Sequence, residues 1–364
     1  MKQKRWTSLA IALVMAAGLL AGCSGEKAGP SASPAGPDTP QPSQSAGGAI
    51  AAGDLKVALI LNGSITDASW NANGYNGLKA NADELGFEWT YIENVQAADM
   101  EATIRDFCEQ GYNLIMAHGS QFDDAMTAVA AGYPDIKFFV YNGEVSGDNL
   151  ASIRNASDEN AFIAGAIAAL ASKSGTIGWI GAVEVPTTSD VLYGYEAGAK
   201  YARADINVLS AYVGSYNDTA KAKELALTMF EQGADVIQSN ANQGSAGIIE
   251  ATYEQGTDSG LMLIGNTRDQ YDDAPEFMLT SCVIDFPAAF RIPIDQVMAG
   301  TFTGGITMGT VANGVMSYAP YHDKADALSS EDKAFVEQLV ADMSAGKLNA
   351  QLPCDYSAFG RPNE

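Results

Sequence analysis

Polar and aromatic residues recur in this chain at the ends of short apolar runs. Asn62, Trp70 and Asn71 follow "LKVALIL", and Gly119 and Phe122 follow "YNLIMAH". Asn142 ends "IKFFVYN", and Tyr216 and Asn217 follow "INVLSAYVG". Asn240 and Asn242 lie at and after the end of "ADVIQSN", and Thr267, Arg268 and Asp269 follow "SGLMLIGN". Aromatic faces supply stacking, and an Asn amide reads both donors and acceptors, a set that suits a flat, neutral, heteroaromatic ligand. Each residue alone has a plainer reading, since Asn at strand ends makes turns and Trp70 packs a core as readily as it lines a cleft. Their shared placement carries the ligand reading.

Catalytic patterns are missing from this set. The chain has two histidines, His118 and His322, which argues against a metal centre built on imidazole, although His118 sits at a strand end within reach of a ligand. It has neither Gly-x-Ser-x-Gly nor a Walker A loop, and "GTIGWIG" spaces its glycines unlike a dinucleotide-binding turn. Carboxylates are abundant, but their spacing pairs no two of them for acid–base work. The residues indicate binding rather than catalysis, with no metal and no cofactor.

The elements that must hold these residues alternate regularly. Strand-like runs rich in β-branched and aromatic residues are followed by helical stretches such as "MEATIRDFCEQG", "FDDAMTAVAAG", "VLYGYEAGAKYA" and "TAKAKELALTMFEQG". Such alternation predicts parallel β-α-β units with both sheet faces covered, an α/β protein. "FCEQGYNLIMAHGSQF" is echoed by "MFEQGADVIQSNANQG", pairing Glu109 with Glu231, Gly111 with Gly233 and Ile115 with Ile237. A helix C-cap glycine explains part of the echo; the similar element order around both copies indicates two related lobes. In doubly wound lobes, ligands bind at the carboxyl ends of the strands, so residues just past those ends would line one shared cleft. "SSEDKAFVEQLVADMSAGK" reads as a capped surface helix near the end.

The 364 residues suggest two domains or one large one. A formal net charge of −24 repels phosphate backbones and argues against nucleic-acid binding. Lys2, Lys4 and Arg5 precede the apolar run "LAIALVMAAGLL", as in a secretory leader spanning 1–22. The following "LAGC" resembles the bacterial lipobox, which implies lipid on Cys23. The Ser-, Gly- and Pro-rich stretch up to residue 53 reads as a flexible stalk. Cys108, Cys282 and Cys354 leave one disulfide or buried free thiols open, and no Cys-x-x-Cys pair supports a zinc or redox site.

From about Leu55 to Tyr321 the chain resembles the basic membrane protein family of substrate-binding lipoproteins of ABC importers, which includes purine-nucleoside-binding members and a Med-like group. The resemblance rests on "DASWNANGYNG", "YPDIKFFVYNG", "FIAGAIAALASKSGTIGWIGA", "GYEAG", "YVGSYNDTAKAKELALTMFEQGADVI", "IGNTRDQ" and "LTSCV". It implies a type I periplasmic-binding-protein fold, with two doubly wound lobes on a multi-strand hinge. Trp70 falls where the family has a base-stacking Phe, Asn71 where an Asn bonds the base, and Tyr216 on an aromatic that closes over the other ring face. The departures concern ribose. Asn62 and Asn142 stand where nucleoside binders have Asp, Thr267 replaces the first Asp of their "GVDxDQ", and Ile284 replaces the Lys of "LTSMVK". Thr and Ile cannot supply the same charge-assisted grip on sugar hydroxyls, which favours a free base over a nucleoside. Arg268 could add selectivity for an anionic group, or be a solvated loop residue.

The resemblance further implies lobe I at 54–153 plus 286–309 and lobe II at 154–285 plus 310–364. It implies a monomer anchored by lipid on the extracytoplasmic face of the membrane, delivering a purine-like ligand to an ABC permease and its ATPase. The rival readings are a ligand-sensing surface lipoprotein without a transport role, a binder of a non-purine small molecule, and an enzyme such as a nucleoside hydrolase.

Overall fold

The computed structural model describes residues 48–67 and 70–361; the leader, Cys23 and the stalk up to residue 47 lie outside them. The chain runs β1 (Lys56–Leu61), α1 (Trp70–Leu85), β2 (Glu88–Ile92), α2 (Met100–Glu109), β3 (Leu114–His118), α3 (Asp123–Ala130), β4 (Lys137–Tyr141) and β5 (Leu150–Asn155). The pattern then repeats through α4 (Ser157–Ala171), β6 (Thr176–Gly181), α5 (Pro186–Ala202), β7 (Asn207–Tyr212), α6 (Thr219–Glu231), β8 (Val236–Asn240), α7 (Ser245–Glu254), β9 (Met262–Gly265) and β10 (Met278–Ile284). It ends with α8 (Phe286–Met298), β11 (Gly305–Gly309), β12 (Met316–Tyr318) and α9 (Ser330–Ser344).

These strands form two six-stranded sheets, ordered β11-β5-β4-β3-β1-β2 and β12-β10-β9-β8-β6-β7. The β10–β12 pair is antiparallel and the other pairs are parallel. In each sheet the chain adds one strand outward, β2 beside β1 or β7 beside β6, and then reverses to the other side. The reversal leaves a crevice between β1 and β3, and another between β6 and β8, at the carboxyl ends.

Burial explains why the strand sequences are nearly all apolar. In the first sheet Val57, Leu59, Leu61, Leu114, Met116 and Tyr141 pack on one side with residues of α1 and α8. Ala58, Ile60, Ile115, Ala117, Phe138 and Val140 pack on the other with α2 and α3. Alternate residues serve opposite faces, so a strand covered on both sides loses its polar positions. The second sheet is sandwiched likewise, by α4, α5 and α9 on one face and α6 and α7 on the other.

The sequence echo has a structural counterpart. Gly111 and Gly233 end α2 and α6 with positive φ, 79° and 94°. In both turns the next amide reaches back, Tyr112 N to Phe107 O at 3.3 Å and Ala234 N to Met229 O at 2.9 Å. A left-handed residue here carries no Cβ penalty only as glycine. The two turns then feed β3 and β8, which hold equivalent positions in the two sheets. The expected capped helix is α9, whose Ser329 and Asp332 form a reciprocal capping box.

α4 has no polar face, and thirteen of its fifteen residues are buried. It packs on α5 through glycine: a Cβ on Gly198 would sit 1.8 Å from the carbonyl oxygen of Phe162, and one on Gly165 would sit 2.0 Å from that of Tyr195. Gly198→Ala should therefore force the helices apart and cost about 1–3 kcal/mol of stability, read as a lower midpoint in urea.

The chain passes between the sheets three times, at Ala156, at Asp285 and across 310–315. Ala156 N donates to Gly309 O and Asp285 N to Val315 O, each at 2.8 Å, so the passes lie side by side. The C-terminal tail returns to this place. Arg361 donates to both oxygens of Asp158 at 2.7 Å, with both side chains almost wholly buried. Next to it Glu159 Oε2 accepts from Val311 N at 2.8 Å. Burial pushes the Glu159 carboxyl up to about 7, against the pull of the Val311 amide and Arg361. A carboxyl whose folded pKa lies above its unfolded value keeps a proton that the unfolded chain has lost, so folding weakens as pH rises from about 4.5 to about 7. Glu159→Gln should remove that part of the decline, on the order of 1–3 kcal/mol, in denaturation curves compared at pH 5 and pH 8.

Candidate ligand-binding cleft

Register places the strand ends of each sheet level with one another. Leu61 pairs with His118 and His118 with Tyr141 in the first sheet; Gly181 pairs with Asn240 in the second. The two carboxyl edges approach through Arg154. This buried side chain of β5 donates from Nε to Glu144 at 3.0 Å and from Nη2 to Asp190 on α5 at 3.0 Å. Its Nη1 donates to Asn142 Oδ1 at 3.3 Å.

Trp70 opens α1 just past the first strand and keeps partial exposure. Its indole stacks on His118, with ring centroids 4.4 Å apart and planes at 28°. His118 in turn stacks on Tyr141 at 5.2 Å and 16°, and Phe286 meets the indole edge-on at 5.7 Å. His118 and Tyr141 have no exposed surface. Burial pushes the His118 imidazole down to about 4, opposed by its hydrogen bond to the Trp70 carbonyl, so the ring is neutral near pH 7.

The other residues expected at the site divide by what holds them. Asn71 accepts from Gly63 N at 3.2 Å and donates to Asp67 at 2.9 Å, so its amide shapes the β1–α1 loop. Asp67 also accepts the Asn71 and Ala72 amides at the helix start, as a capping carboxylate does. Asn62 is exposed at the mouth of that loop. Gly119 continues the sheet, donating to Tyr141 O at 2.9 Å with φ 123°, a conformation open to glycine. Phe122 corrects the expectation of a ligand contact: its side chain is fully buried with Met126, Val129 and Val140 in the core. The turn after Gly119 carries Phe122 inward, where an apolar ring loses most contact with water.

In the second sheet Tyr216 projects from the loop after β7 and is 50% exposed, free of the core. Asn240 accepts from the Asn266 amide. Thr267 has φ 74°, left-handed for a β-branched residue, and its carbonyl accepts from Ile284 N at 3.0 Å. Asp269 bonds His322 Nε2 at 2.7 Å, and Arg268 grips both oxygens of Asp273 at 3.0 and 2.8 Å. Arg268 is thus tied to its own loop. Among the described residues no cluster of His, Cys, Asp and Glu could hold a metal ion, and Cys108, Cys282 and Cys354 are free buried thiols.

Residues 54–337 match the family described as ABC transporter substrate-binding protein PnrA-like. The chain belongs to this PnrA-like substrate-binding family. It is 36% identical over 266 residues to Basic membrane protein A2 of Borrelia garinii subsp. bavariensis, covering 71% of this chain and 77% of that one. It is 28% identical over 306 residues to a purine-binding protein of Brucella abortus, covering 83% of this chain and 85% of that one. Among solved structures, an ABC transporter solute-binding protein from Aeropyrum pernix K1 superposes with a TM-score of 0.71 at 21% identity, over 84% of this chain and 95% of that one. The fold is the type I periplasmic-binding-protein fold, and members of the family are binding proteins, not enzymes.

For this PnrA-like protein, sequence reasoning placed His118 at a strand end but missed that it backs Trp70. It also missed Tyr141, Phe286 and Arg154. His118 and Tyr141 could be found as aromatic rings ending adjacent strands, whereas Phe286 comes from α8, far along the chain, and gave no local signal. The strain at Thr267 is testable. Thr267→Gly should raise stability by about 1 kcal/mol in urea denaturation without ligand; a loss instead would show that the Thr side chain holds the loop.

Proposed function

We propose that this substrate-binding protein captures a flat heteroaromatic ligand, a purine base, in the cleft between its two lobes and delivers it to an ABC permease and its ATPase. The observation that carries the reading is Trp70: a large aromatic ring kept partly exposed at the β1–β3 crevice while the rings behind it are wholly buried. Tyr216, half exposed past β7, supplies the second jaw from the other lobe. Asn62, Asn142 and Asn240 offer amides to the ring edge, and Gly119, Thr267 and Asp269 flank them. The purine-binding relative from Brucella supports this ligand class.

Thr267 and Ile284 give no charged grip on sugar hydroxyls, which sets the base above the nucleoside. Lobe I comprises 54–153 plus 286–309, and lobe II 154–285 plus 310–364. Lipid on Cys23 holds the monomer at the extracytoplasmic face of the membrane, with the stalk giving it reach.

Thermal unfolding of the full chain with adenine, guanine, hypoxanthine, adenosine, guanosine and inosine tests this. A ligand at about 100 times its Kd adds roughly 2.7 kcal/mol. Stabilisation by bases, weaker for nucleosides and much reduced in Trp70→Ala, is the expected result. Equal stabilisation by nucleosides would overturn the base preference, and no response to any of the six would overturn the purine reading.

A further inference from the structure

The ring beneath Trp70 is a histidine, and packing alone does not explain that choice. His118 Nε2 lies 2.9 Å from the carbonyl oxygen of Trp70, the residue on whose indole the imidazole also stacks. A carbonyl only accepts, so Nε2 carries the proton and Nδ1 keeps a bare lone pair. That Nδ1 is buried without a hydrogen-bond partner. A phenyl ring would fill the space without leaving a polar atom unpaired, so a purely packing role favours Phe. What histidine adds is the bond to Trp70.

The surroundings make room for this arrangement. Gly74, one turn into α1, faces the imidazole: a Cβ there would lie 2.7 Å from ring atoms. Tyr141 lies against the imidazole at 16°, and Phe286 and Phe290 close the sides. One side chain therefore fixes Trp70 twice, by its backbone carbonyl and by the plane of its ring.

We infer that His118 is a positioning residue that sets the plane of the Trp70 indole on which a bound ligand stacks; Trp70, His118 and Tyr141 form a three-ring cluster in which Trp70 and Tyr141 are themselves 5.6 Å apart. The inference rests on the reading that Trp70 receives the ligand. His118 itself touches no ligand.

His118→Phe keeps the stack and deletes the bond; His118→Gln keeps a donor and deletes the stack. Both are made in the full chain, alone and with Trp70→Ala, and far-ultraviolet circular dichroism establishes which fold. Adenine affinity is measured by calorimetry. Each single variant should weaken adenine binding about threefold to tenfold, and neither should weaken it further once Trp70 is alanine. Unchanged affinity, or the same loss with and without Trp70, would overturn the inference.

A second readout needs no ligand. The contribution of Trp70 to the near-ultraviolet circular dichroism, taken as the difference from Trp70→Phe, should change in both His118 variants. No change in that spectrum would overturn the inference by itself. A changed spectrum in a protein that binds no base would leave His118 as the positioning residue of Trp70 and remove the purine reading instead.

Discussion

Two short backbone hydrogen bonds, Ala156 N to Gly309 O and Asp285 N to Val315 O, hold three separate passes of chain together between the sheets. The rest of the molecule depends on that junction. Each sheet is covered by its own helices, and the core of the first also takes in Val315 and Met316 from the third pass and β12. The three passes, the tail and Arg154 join the two sheets. A junction of this kind transmits rotation while both cores stay rigid, which is what a receptor closing around a ligand needs.

Polar groups at the junction are unusually buried, and their arrangement limits what the molecule can do. Asp158 and Arg361 pair through two hydrogen bonds, and the Glu159 carboxyl takes the Val311 amide on the third pass. Tyr356 in the tail donates to Asp190 at 2.7 Å, the same carboxylate that receives Arg154. Removing one member would leave a buried charge without its partner, which is costlier than never having had the pair. The tail beyond α9 is therefore integral to the junction. Arg154, on β5 of the first sheet, reaches Glu144 beyond β4 and Asp190 on α5 of the second, so it ties the two sheets together at their carboxyl edges.

Much of the architecture was legible in the sequence because burial on both faces leaves a strong trace. β1, β3 and β4 are continuous apolar runs, and the Glu-Gln-Gly echo marks two left-handed helix ends that feed matching strands. α4 was harder: an apolar stretch without a polar face has no period to read, and its packing on α5 depends on glycines that carry no hydrophobic signal. At the site, position was legible and partnership was not. Trp70 and Tyr216 fall just past strands, as a doubly wound unit requires. That Phe122 turns inward, that Asn71 serves its own loop, or that Asp269 meets His322 depends on contacts set by tertiary structure.

The electrostatics of the cleft bear on ligand charge. The chain carries a net charge of −24, and the two arginines nearest the strand ends are already engaged, Arg154 by Glu144 and Asp190 and Arg268 by Asp273. An anionic ligand would enter a field of its own sign and find both guanidiniums neutralised by carboxylates, so its loss of hydration would go uncompensated. A neutral ring meets no such barrier. In the proposed reading it would present a face to Trp70 and an edge to amides, interactions that work without net charge and would be gained only as the two sheets close on each other. On that reading binding and closure would be one event, because contacts absent from an open state are the ones that favour a closed one.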